Sequence, residues 1–115
     1  MSDYPIPETF SVRTERLRDT AVVVPTGELD LATAPALEAS LRRAFTEAPG
    51  RVVLDLREVE FIDSSGLRTL LTARCQAQDA GQQFSLVAGH HGLKRTLEIA
   101  GVHKVFDWTP AEELA

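Results

Sequence analysis

The sequence predicts an α/β fold, a mixed four- to five-stranded sheet with helices packed on it. Short β-rich apolar runs recur at 21–24, 51–56 and 84–88. Longer stretches between and after them repeat their apolar residues at helical spacing. The resulting order, β-β-α-β-α-β-α, requires parallel crossovers with helices against the sheet. A chain of 115 residues, 43% hydrophobic and 25% charged, suits one domain with one core.

Residues 1–9, with Pro5 and Pro7 among polar neighbours, read as a loose tail, and 10–115 as the domain. A strand from Phe10 to about Leu17 and a denser run, Ala21-Val22-Val23-Val24, are separated by Arg18-Asp19-Thr20, which suits a hairpin turn between antiparallel strands. After Pro25-Thr26-Gly27 comes a loop through Glu28-Leu29-Asp30, then a helix from near Thr33. Pro35 falls in its first turn, where a missing N–H is harmless, and Leu37, Leu41 and Phe45 form its buried stripe. Pro49-Gly50 ends that helix, and a third strand covers 51–56.

A second helix runs from about Ser65 to Ala80, with Leu67, Leu70, Leu71 and Cys75 at helical spacing and Gly81 as a left-handed terminator. Cys75 is the lone cysteine, so an intrachain disulfide is excluded, and its place on that stripe makes it a small core hydrophobe. A fourth strand follows at 84–88, then a helix with the stripe Leu93, Leu97 and Ala100, closed by the Schellman pattern Gly101-Val102. Val105-Phe106 reads as a short extended piece. Thr109-Pro110-Ala111-Glu112 offers a capping box for a last stub of helix, and Trp108 before it reads as a packing anchor.

The candidate site is Phe61-Ile62-Asp63-Ser64-Ser65-Gly66-Leu67, where strand gives way to helix. Parallel crossovers bring the carboxyl ends of strands to one edge, so the 27–30 loop and the 63–66 junction should lie side by side on the edge where α/β sheets recognise ligands. Capping is the commoner role for an isolated serine or aspartate at such a boundary. Neither serine gains a capping box: the third position after Ser64 is Leu67 and after Ser65 is Arg68, so the reciprocal Glu or Gln is missing.

Three anchors in order carry a family resemblance: Gly27-Glu28-Leu29-Asp30; Val53-Leu54-Asp55-Leu56 leading to the 61–67 segment; and Leu97-Glu98-Ile99-Ala100-Gly101-Val102 with Val105-Phe106. With these the chain resembles the anti-sigma factor antagonists, small single-domain members of the STAS family, over roughly residues 10 to 112. The resemblance implies a STAS-like fold and partner switching. Ser64 maps onto the family's phosphoacceptor serine, modified by an anti-sigma factor that is also a serine kinase. The unphosphorylated protein would bind that factor and free a sigma factor for transcription, in stress response or a similar programme; phosphorylation would end binding, and a serine phosphatase would reset the cycle. Glu28, Asp30, Asp63, Ser65, Gly66 and Arg68 are the expected partner contacts, Gly66 by letting a partner backbone approach. Family members often carry a small residue where Arg68 stands. An alternative keeps the fold without the switch, as an interaction module for a protein or small ligand.

Other classes fit less well. The nucleophile elbow Gly-x-Ser-x-Gly is absent, because Ile62 and Gly66 flank Ser64 and Asp63 and Leu67 flank Ser65, so no enzyme is expected. A receiver phosphorylated on Asp63 would need clustered acids to hold Mg²⁺, for which Glu28 and Asp30 are a weak substitute. His90, His91 and His103 lack a plausible partner set, so neither metal nor cofactor is expected. The net charge of −5 argues against nucleic acid. The start of the chain lacks a signal pattern and no apolar run has spanning length, so the expected setting is cytoplasmic, away from membrane.

Overall fold

The computed structural model describes residues 9–47 and 50–114. The expected tail, apart from Thr9, lies outside them, as does Pro49 at the expected end of the first helix. The described chain forms β1 (Ser11–Leu17), β2 (Thr20–Leu29), α1 (Ala34–Glu47), β3 (Arg51–Asp55), β4 (Val59–Ile62), α2 (Ser64–Ala80), β5 (Gln83–Val87), α3 (His91–Ile99) and β6 (Asp107–Trp108). Two 3-10 turns, His103–Val105 and Ala111–Leu114, complete it. The mixed sheet has six strands rather than four or five, in the order β1-β2-β3-β5-β6 with β4 paired to β2.

The β1–β2 hairpin is antiparallel, Leu17 facing Thr20, and Arg18 at φ 59 supplies the left-handed turn residue. Beyond it, β2 is longer than expected because it serves two parallel neighbours in succession. Residues 20–23 pair with β3 and residues 27–29 with β4, with a register shift between Gly27 and Glu28. The stretch expected to be a loop after Val24 is thus mostly strand. Pro25 falls between the two pairings, where neither parallel neighbour requires its missing N–H. At the shift, Gly27 has φ 112 and a Cβ there would lie 2.6 Å from the Thr9 carbonyl oxygen, so a side chain is excluded twice over.

Alternation along β2 divides the interior. Ala21 and Val23 join Leu37, Leu54, Leu70 and Leu93 in the main core between sheet and helices. Val22 and Val24 join Val53 and Val87 on the other face, against Ala111 and Leu114 of the last turn. Burial on both faces explains why this run is apolar throughout rather than alternating.

Both glycine stops form Schellman motifs. The Gly81 and Gln82 N–H groups return to Gln78 and Ala77, and those of Gly101 and Val102 to Glu98 and Leu97. Cys75 departs from expectation and is exposed. The buried face of α2 runs through Gly66, Thr69, Leu70, Ala73 and Ala77, and two residues of helix turn a side chain by about 200° away from Ala73. Leu93 and Leu97 are buried, but Ala100 is an exposed cap beyond the last turn.

Three expectations near the C-terminus are also corrected. The extended piece is Asp107–Trp108, and Val105 belongs to a 3-10 turn. The Thr109 hydroxyl does not cap the last turn; it accepts from Arg51 Nη2 at 2.7 Å and meets the Ser85 hydroxyl at 2.6 Å. Trp108 is 37% exposed and donates from Nε1 to the His103 carbonyl at 2.9 Å, so it packs only in part.

Candidate functional site

Two paired side chains launch the strand that carries the site. Asp55, buried at the end of β3, accepts from the Arg57 backbone N–H at 3.0 Å and from its guanidinium at 2.8 to 3.2 Å. These bonds raise the Arg57 pKa. Glu58 accepts from both terminal nitrogens of Arg13, at 3.1 and 2.8 Å, and from the Thr26 hydroxyl at 3.0 Å, while its carbonyl accepts the Gly27 N–H at 3.0 Å. Hydrogen bonds from Arg13, then from Thr26, hold the Glu58 carboxyl below its ordinary range. The 57–58 turn is thereby fixed to β1 and β2, and Val59 enters β4 in parallel register with Gly27.

That register ends with Leu29 opposite Ile62, and the Asp63 N–H donates to the Leu29 carbonyl at 3.2 Å. Asp30 and Asp63 follow directly after the paired residues, so the two strand-to-helix junctions lie side by side as expected. Asp63, in extended backbone at φ −108, caps α2: its Oδ1 accepts from the Ser65 N–H at 2.9 Å and the Gly66 N–H at 3.1 Å. Ser64 is the first helical residue and is exposed; among the described residues its hydroxyl has no hydrogen-bond partner.

Asp30 organises the neighbouring junction. Its Oδ1 accepts from the Ala32 and Thr33 N–H groups at 3.0 and 3.1 Å. Buried Thr33 closes the turn by donating its hydroxyl proton to the Glu28 carbonyl at 2.7 Å and accepting the Asp30 N–H at 2.9 Å. Glu28 is exposed, Asp30, Asp63 and Ser65 are half-buried, and Arg68 is exposed one turn into α2.

Gly66 differs from its expected role. It is buried, and a Cβ there would come within 2.6 Å of Ile62 Cγ1 and 2.9 Å of the Leu29 carbonyl oxygen. The residue therefore lets α2 seat against Leu29 and Ile62 of its own two strands. Two apolar residues outside the expected partner contacts also belong to this edge. Leu31, directly after Asp30, is 77% exposed, and Phe61, opposite Glu28 in the register, is 51% exposed. Their signal was present as hydrophobic residues flanking the acidic pair, but exposure is decided by β4, which the sequence reading lacked. Among the described residues no group of three or more His, Cys, Asp or Glu could hold a metal ion, and no helix is long and apolar enough to cross a membrane.

Residues 11–115 match the family model of the STAS domain. The anti-sigma-F factor antagonist RsfB of Mycobacterium tuberculosis is 32% identical over 100 residues, covering 87% of this chain and 81% of that protein. The crystal structure of an anti-sigma factor antagonist from Mycobacterium paratuberculosis superposes with a TM-score of 0.80 at 29% identity, covering 91% of this chain and 89% of that one. The Bacillus cell fate determinant SpoIIAA, solved in its phosphorylated form, shares the fold at a TM-score of 0.67 and 20% identity, over 90% of this chain and 96% of that one.

Proposed function

The chain belongs to the STAS domain family, and on that premise we propose that it is an anti-sigma factor antagonist switched by phosphorylation of Ser64. Unphosphorylated, it binds an anti-sigma factor that is also a serine kinase, which releases a sigma factor for transcription in the cytoplasm. Phosphorylation ends the binding, and a serine phosphatase restores it. RsfB and the Mycobacterium paratuberculosis protein, both antagonists by name, support the first part.

The observation that carries the switch is the exposed, unpartnered Ser64 hydroxyl at the first position of α2, with the next two N–H groups already taken by Asp63. A free hydroxyl on an accessible edge can reach a kinase's γ-phosphate. The dianion so formed sits at the favourable end of the helix dipole, so the fold tolerates it. It does not inherit the Ser65 and Gly66 N–H groups, and it faces the Asp63 carboxylate, with Asp30 and Glu28 on the adjoining junction. A partner docked on this edge would have to enclose a largely unpaired dianion, at a cost of about 3 kcal/mol or more.

The docking edge consists of Glu28, Asp30, Leu31, Phe61, Asp63, Ser64 and Arg68, with half-buried Ser65 at its floor. Leu31 and Phe61 supply the desolvated anchors and the acids supply register, so the partner presents an apolar pocket rimmed by cationic or N–H donor groups. The test is capture from extract of the native cells with wild-type, Ser64→Ala and Ser64→Asp baits. An ATP-binding partner held by wild type and Ser64→Ala and lost by Ser64→Asp supports the proposal. Equal capture by all three reduces Ser64 to a residue of the helix terminus without a switching role.

A further inference from the structure

A cavity of about 430 Å³ is lined by Ala88, Lys94, His103, Trp108, Thr109 and Pro110, none of them a residue of the Ser64 edge. It is walled by α3, the first 3-10 turn and the segment that leaves β6. Its lining is overwhelmingly apolar, the indole of Trp108 and the ring of Pro110 included. Its volume is in the range of small-molecule sites, which combine an apolar wall with a few convergent polar groups.

One charged group there has no ion-pair partner. Lys94 is exposed on α3 and takes part in none of the ion pairs among the described residues. Nδ1 of His103 is buried and has no hydrogen-bond partner among the described residues. That atom is closed to solvent, so the cavity does not open onto it, and Lys94 is the charged group the lining offers to a ligand. Trp108 is held by its Nε1 bond to the His103 carbonyl, so the indole and the imidazole belong to one small rigid unit.

We propose that this cavity binds a small amphiphilic carboxylate, its carboxylate paired with Lys94 and its aliphatic or aromatic body against Trp108 and Pro110. The sign of the ligand follows from the single cation among the lining residues, and its apolar body from the wall. Lys94 contributes a charge-assisted hydrogen bond.

Trp108 is the only tryptophan of the chain, so its emission reports on this cavity alone. The protein is titrated with octanoate, 1-octanol and octylammonium, each below its aggregation limit. Octanoate is expected to give a saturable change in Trp108 emission, about tenfold tighter than the alcohol or the amine. Lys94→Gln, at an exposed position and checked for unchanged far-ultraviolet circular dichroism, is expected to bring octanoate to the affinity of octanol. An unsaturable response, equal binding of octylammonium, or full octanoate affinity in Lys94→Gln overturns the proposal. So does emission that changes with protein concentration alone, which would mean that a second copy fills the cavity.

Discussion

Asp63, Ser64 and Gly66 divide the work at the start of α2. Asp63 caps the helix, Ser64 is left exposed, and Gly66 brings the helix within side-chain distance of Leu29 and Ile62. Because the Cβ of an alanine at position 66 would press on the Leu29 carbonyl at 2.9 Å, backbone must move to admit it. Gly66→Ala should cost about 1–3 kcal/mol of stability by overpacking, read as a lower urea midpoint with an unchanged slope. An unchanged midpoint would mean that the helix is not seated as closely as described. At this scale the Asp-Ser-Ser-Gly segment was legible as a strand-to-helix junction, but its cap was not. Serine and aspartate are both good caps, and only backbone geometry selects Asp63. Cys75 was misjudged for a related reason: the buried stripe follows small residues, Gly66, Ala73 and Ala77, as well as leucines, so apolar spacing alone put the face in the wrong place.

Among the elements, β4 is the one that places the site. Its four residues show the exposure pattern buried, exposed, exposed, buried, so the period of two that marks a strand is absent. Its position is set instead by the Asp55–Arg57 and Arg13–Glu58 pairs in the turn before it, the second of which joins residues 45 apart that sequence spacing does not connect. The two-neighbour use of β2 was hidden for the same reason, since Pro25 and Gly27 read as loop until β4 is there to pair with Leu29. The helices and their glycine stops were legible because capping chemistry is local. Glu58 gives this scale its prediction. Its carboxyl is held below the ordinary value of 4.5 in the folded protein, so its contribution is fully present above that value and is lost as pH falls through the lower, folded one. Glu58→Gln should lower the urea midpoint at neutral pH, and the gap from wild type should close as the pH is taken below 4.5. A gap that persists in acid would assign the effect to packing instead of charge.

For the whole molecule, the mixed sheet gathers the ends of β2 and β4 on one edge and carries both helical junctions there, while the main core lies behind them. The alternating order of strands and helices was enough to foresee that edge. The exposure of the flanking Leu31 and Phe61, and the cavity beside Trp108, depend on packing between distant segments that no local pattern shows. A division between a buried interior and an exposed edge carrying Ser64 means that the proposed phosphorylation should act on association and spare folding. The direct measurement is calorimetric titration of the captured anti-sigma factor against unmodified protein and against protein phosphorylated on Ser64, with thermal unfolding of both forms recorded alongside. The account predicts that affinity falls about 100-fold or more on phosphorylation, with little change in the unfolding midpoint. Equal affinity of the two forms would contradict it, and so would a loss of binding that tracks a loss of the fold.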